Sequence, residues 1–85
     1  MKIVSKLINQ PVLVVTDGRK RPRRFFWIKN WIDVQSILDE WKDTGRWWDG
    51  EAEKVFYRLT ADSGAVYELF SDRRMNQWNL YRVLD

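Results

Sequence analysis

Short apolar runs bounded by turn-forming residues recur along this 85-residue chain. Most of them alternate with the period of two that half-buried strands require. The last third is the clearest. Residues 55–60 and 65–70 flank Ala61-Asp62-Ser63-Gly64, a turn signal. Alternation puts Val55, Tyr57 and Leu59 on one face and Ala65, Tyr67 and Leu69 on another, so the two faces are expected to pair as a hairpin. A polar loop over residues 71–77 leads to a final strand over residues 78–84. In the first third, Pro11 opens the β-branched run Val12-Leu13-Val14-Val15-Thr16; proline is tolerated at the first strand position, where no ladder donor is needed. Asp17-Gly18 marks a turn, residues 25–28 form the next strand, and Lys29-Asn30 is a short polar break before Trp31-Ile32-Asp33-Val34. Residues 1–10, mixed apolar and basic, read as an edge strand or a poorly ordered lead-in.

Residues 32–41 carry two readings. Val34, Ile37, Leu38 and Trp41 fall at i, i+3, i+4 and i+7, the stripe of an amphipathic helix that Asp33 would cap. A long bent strand with a bulge explains the same positions, and the β-rich surroundings and the lack of a helix stop before Gly45 support it. The expected fold class is all-β: a small antiparallel barrel or strongly bent sheet of five to six strands, with one short helix at 33–41 as the open alternative. A single domain over residues 1–85 is expected, because a chain of this length buries only about 60 to 65% of its unfolded surface and cannot supply two cores. Trp27, Ile37, Trp41, Tyr57, Leu59, Tyr67, Leu69, Trp78 and Leu80 are expected to supply much of that core.

Composition narrows the chemistry. There is no cysteine and no histidine, which removes disulfides, thiol and imidazole catalysis, and zinc sites of the Cys/His type. The acidic residues lack EF-hand-like spacing, so no metal site and no cofactor is expected. No apolar run approaches the roughly 18 residues of a membrane span, and the N-terminus has no signal-peptide pattern; a cytoplasmic protein without a membrane partner is expected. Asp49 and Glu51, two carboxylates in a glycine-bearing loop beside tryptophans, are the best candidates for acid/base work, but without a nucleophile-and-base set they read as loop residues, and the chain is expected not to be an enzyme.

Charge and aromatics leave two binding readings. Residues 1–30 carry eight Lys/Arg against one Asp, residues 31–53 two against seven acidic residues, and residues 54–85 five against four. This asymmetry is either a dipolar surface that steers a partner or a set of charges that meet across neighbouring strands. The stretch Trp41-Lys42-Asp43-Thr44-Gly45-Arg46-Trp47-Trp48-Asp49-Gly50-Glu51 holds three of the six tryptophans. Trp41 and one of Trp47 and Trp48 are expected to plug the end of a barrel. Adjacent strand residues face opposite sides, so the other indole is left near the surface beside Arg46 and Asp49, the composition of a protein-binding hot spot. Arg46, Trp47, Trp48, Asp49 and Glu51 are therefore the candidate partner-binding residues, and a homodimer interface satisfies the same set. The alternative is single-stranded nucleic acid bound along residues 19–27: Arg19, Lys20, Arg21, Arg23 and Arg24 on phosphates, with Phe25 and Trp27 stacking on bases.

Longer patterns point to a family. Gly45-Arg46-Trp47-Trp48-Asp49-Gly50-Glu51, then Phe56-Tyr57-Arg58-Leu59, then Asp62-x-Gly64-x-Val66-Tyr67-Glu68-Leu69-Phe70-x-Asp72-Arg73, then Trp78-x-Leu80-x-Arg82-Val83-x-Asp85 resemble a bacterial family of uncharacterised small domains that occur alone or at the C-terminus of proteins related to Y-family polymerases. The Trp41-x-x-x-Gly45-x-Trp47-Trp48 run is similar to the C-terminal tail of the catalytically inactive Y-family subunit of the bacterial mutagenic translesion apparatus. The resemblance covers residues 24–85. It favours the strand over the helix for residues 32–41, and it implies a protein partner in DNA damage tolerance, from the polymerase or repair machinery, with no active-site residues. Asn76 stands where the family pattern has glycine; asparagine tolerates a left-handed backbone, so the turn is expected to survive.

Overall fold

The computed structural model describes residues 5–43 and 53–84. Its six strands are β1 (Ser5–Thr16), β2 (Pro22–Trp27), β3 (Asn30–Asp43), β4 (Lys54–Ala61), β5 (Val66–Asp72) and β6 (Gln77–Leu84). Each strand pairs antiparallel with the next, and β1 pairs with β6, which closes the meander into a small barrel. The all-β expectation holds, with six strands and no helix among the described residues. Residues 5–10 form the first half of β1 and hydrogen-bond to β6.

Alternation selects the interior. Val14, Phe25 and Ile32 are successive partners across β1, β2 and β3 and all pack in the core. On the other side of the barrel, Ile37 faces Leu59, Leu59 faces Tyr67, and Leu69 lies between Tyr57 and Leu80. Phe25, Leu59, Leu69 and Leu80 are fully buried. The β4–β5 hairpin pairs the predicted faces, and Gly64 takes φ 89° at its turn, where its N–H donates to the Ala61 carbonyl at 2.9 Å.

β3 resolves the helix-or-strand question and shows why the pattern was misleading. Its register slips between Val34 and Ser36 and again between Ile37 and Asp39. A bulge adds one residue without advancing the partner strand, so the inward positions Val34 and Ile37 lie three apart instead of two. Two bulges in succession thus imitate a helical stripe in a strand that must bend around a narrow barrel. Leu38, at the second slip, is exposed.

Trp41 departs from the expected core position. It sits on the outer face, opposite Phe56 in register, with its ring stacked on Phe56 at 5.3 Å and 5°. Phe56 also meets Phe70 at 5.1 Å and Tyr81 at 5.2 Å, so a row of aromatics girdles the outside of β3 to β6. The physical cause is the second bulge, which changes the face that Trp41 takes relative to Ile37. Beside this row Glu68, only 4% exposed on the same outer face, accepts from Arg58 Nε at 2.9 Å and Nη2 at 2.8 Å, with Arg82 Nε at 4.0 Å. The charge-assisted bonds from Arg58 make a carboxylate tolerable at a site that water scarcely reaches.

Candidate interaction surface

The residues outward of the Val14, Phe25 and Ile32 row are Leu13, Phe26 and Trp31, which are also partners across the three strands. Leu13 is 67% exposed and Trp31 42%, with Phe26 half-buried between them. The Phe26 ring meets Trp31 edge to face, 5.4 Å between centroids and 66° between planes. The next outward row is Val15, Arg24 and Asp33; Val15 is exposed, and the Arg24 guanidinium lies 4.9 Å from the Trp31 ring while pairing with Asp33 at 3.6 Å. Ile28, at the β2–β3 tip two residues beyond Phe26, is also exposed, at 73%, with φ 61°. A β-branched residue in the left-handed region is an outlier, and strain of this kind persists where the surrounding structure or a function requires it.

A basic loop borders this face. The Asp17 carboxylate accepts from the backbone N–H of Arg19 at 2.8 Å and of Arg21 at 3.0 Å, and the Lys20 N–H donates to the Asp17 carbonyl at 3.1 Å. The two amide bonds to its side chain, from Arg21 and then Arg19, hold the Asp17 carboxyl below its ordinary pKa, aided by the Arg21 and Arg23 charges. Asp17 thus acts as a staple that turns the chain, and Arg21 completes it with an ion pair at 3.7 Å. Arg19, Lys20 and Arg23 make no ion pair with any other described residue and are all exposed.

The structure brings some of the sequence candidates together and separates others. Arg19, Lys20, Arg21, Arg23 and Arg24 lie in or next to the β1–β2 connection, with Arg21 paired to Asp17 and Arg24 turned to Asp33 and Trp31. Phe25 and Trp27 do not join them: Phe25 is 0% exposed and Trp27 packs against the core, so neither offers a free face to a base. Phe26 and Trp31 take that place, one register position away. Arg46, Trp47, Trp48, Asp49 and Glu51 lie outside the described residues. The charges of the first two thirds meet in part across strands, at Arg24 with Asp33 and near the β3–β4 connection at Lys42 with Glu53, 4.0 Å apart. Leu13 and Ile28 escaped sequence reasoning, although a signal existed. Residues 12–15 are apolar at every position, and a strand with one core face has an apolar residue to spare at every second place.

No helix among the described residues is long and apolar enough to cross a membrane. The model of one family, described as a domain of unknown function (DUF6504), matches residues 2–85. That match agrees with the resemblance to uncharacterised small domains and says nothing of polymerase-related tails. No curated protein and no solved structure matches the chain.

Proposed function

The chain belongs to this family of domains of unknown function, and from its residues we propose that it is a non-catalytic module that docks onto a protein partner through the outer face of β1, β2 and β3. The observation that carries the reading is the row Leu13, Phe26 and Trp31, with Ile28 also exposed at the β2–β3 tip. Contiguous apolar surface of this kind is uncommon on soluble domains outside binding sites, and tryptophan with a guanidinium on its face is the composition of a hot spot. Aliphatic Leu13, Val15 and Ile28 suit the side chains of a protein better than the flat face of a base. The unpaired Arg19, Lys20 and Arg23 beside the patch favour a partner segment that mixes apolar and acidic residues. The sequence resemblance alone supports a partner in DNA damage tolerance.

Site-specific photo-crosslinking in the native cells tests the docking face. A photoreactive phenylalanine analogue at Leu13 should give a discrete protein adduct that is lost on Trp31→Ala, while the same analogue at exposed Met75 should not. An identical adduct pattern at both positions, or none at Leu13, would exclude this face.

A second reading, single-stranded nucleic acid on the same face, is favoured by the Arg24 guanidinium over Trp31 beside three unpaired cations. Titration of labelled single strands without a terminal phosphate separates the two: phosphate contacts weaken steeply with salt, and reversal of Arg19 and Arg23 to glutamate would abolish such binding while Trp31→Ala reduces it. Absence of binding at low salt removes this reading.

A further inference from the structure

One end of the barrel holds a cavity of about 360 Å³ that is lined, among the described residues, by Thr16, Lys20, Tyr57, Ser71, Arg73, Asn76 and Trp78. It opens away from the Leu13, Phe26 and Trp31 row, and Lys20 of the β1–β2 loop lies on its rim. Its floor is aromatic: Tyr57 and Trp78 both point inward, their rings 5.5 Å apart and tilted by 34°. Its rim is polar and cationic, with Lys20 and Arg73 as the charged groups among the described lining residues. Neither cation has an ion-pair partner among the described residues.

Two features show that this end is shaped with care. Lys20 and Asn76, from different loops, take φ 63° and 50°, so two of the strained positions of the chain converge on one cavity; such strain concentrates at ligand sites. Each is fixed by a neighbouring aspartate: Asp17 orders residues 19–21, and Asp72 accepts from the N–H groups of Arg74 at 3.0 Å and Met75 at 3.2 Å. The two loops are therefore held ready before any ligand arrives. Tyr57 is buried beneath the rim, only 4% exposed. Burial, and then the Glu40 carboxylate, push the Tyr57 pKa up, and the Arg73 and Arg21 charges oppose this.

We propose that this end of the barrel binds a phosphate group joined to a flat ring, with a nucleoside monophosphate as the simplest such ligand. Lys20 and Arg73 would hold the phosphate as charge-assisted donors, Thr16, Ser71 and Asn76 would supply neutral hydrogen bonds, and the ring would lie on Trp78 and Tyr57. The volume lies in the range of small-ligand sites and exceeds what inorganic phosphate alone would fill. The same unit occurs as a free nucleotide or as the phosphorylated end of a strand.

The test is calorimetric titration of the full chain with adenosine and uridine monophosphates, with inorganic phosphate, and with a short single strand carrying or lacking a terminal phosphate. Arg73→Gln and Lys20→Gln are exposed loop changes that spare the core, and each should weaken nucleotide binding by about tenfold or more. Trp31→Ala, on the other face, should leave it unchanged. Preference for the phosphorylated strand end over free nucleotide would assign the ligand to strand termini, and the reverse preference to free nucleotides. The inference is overturned if neither form binds at about 1 mM, if inorganic phosphate binds as tightly as the nucleotides, or if the two glutamine variants bind like wild type. Because Trp31 reports on the docking face and Arg73 on the cavity, failure of one reading leaves the other standing.

Discussion

Replacing Ile28 by glycine should make the barrel more stable. Ile28 opens a two-residue turn between Trp27 and Asn30 and takes φ 61°, while Lys29 beside it does not take positive φ; that is the pattern of a type II′ turn, whose first central position belongs to glycine. A branched Cβ there crowds the backbone, strain of this kind costs about 1–3 kcal/mol, and a side chain 73% exposed recovers little of that by burial. The freedom that glycine returns to the unfolded chain offsets about 0.4–1 kcal/mol. The expected net gain is about 1 kcal/mol, a rise of roughly 4–8 °C in Tm for a domain of this size. Urea and thermal denaturation, followed by tryptophan fluorescence, should therefore rank Gly above Asn and Asn at or above Ile. A glycine variant no more stable than wild type would refute the reasoning, because it would mean that the Ile28 side chain gains as much from folded contacts as its backbone loses. The same variant should lose the Leu13 adduct in crosslinking. Strain retained at an exposed apolar tip is expected where activity, not stability, keeps the residue.

Other outcomes follow from the ion pairs and turns. Glu68→Ala removes the hydrogen-bond acceptor of Arg58 and the more distant ion-pair partner of Arg82, whose side chains are both nearly half exposed; urea denaturation should show a loss of about 1–2 kcal/mol, less than for a fully buried pair. Asn76→Val puts a β-branched residue at φ 50° and should cost about 1–2 kcal/mol, whereas Asn76→Gly should be near neutral by the same assay. The depressed Asp17 pKa means that its contribution is present above the unfolded value of 3.8 and is lost as pH falls through the lower folded value. An acid titration of wild type against Asp17→Ala should accordingly show the difference in stability between them shrinking below pH 3.8. A gap that widens on acidification would reverse the assignment.

The strands after residue 54 were legible because alternation, turn residues and pairing partners agree there: Tyr57 faces Leu69 and Leu59 faces Tyr67 as the pattern required. The Asn76 turn was legible for the same reason, since one residue type with a known backbone tolerance stood at the position that needed it. β3 was ambiguous because bulges are invisible in composition. They change the inward spacing from two to three at Val34 and Ile37, and they carry Trp41 to the outside. In residues 25–27 three adjacent aromatics gave no phase, and the phase came only from closure: Phe25 lies between Val14 and Ile32 inside the barrel, which forces Phe26 outward. The cavity at the barrel end was not legible at all, because it joins residues 16, 20, 57, 71, 73, 76 and 78 that no local spacing connects.

Closure of β1 on β6 has a consequence for how any partner can be read. The closure is shared out along two long strands: β1 pairs with β6 over residues 5–12 and with β2 over residues 13–16, and β3 pairs with β2 over residues 30–33 and with β4 over residues 34–43. Short β2 therefore has a partner on both sides, while the halves of β1 and β3 that run past it keep one edge without a ladder partner among the described residues. An extended peptide that added a strand there would use main-chain bonds, a route distinct from side-chain docking on Phe26 and Trp31.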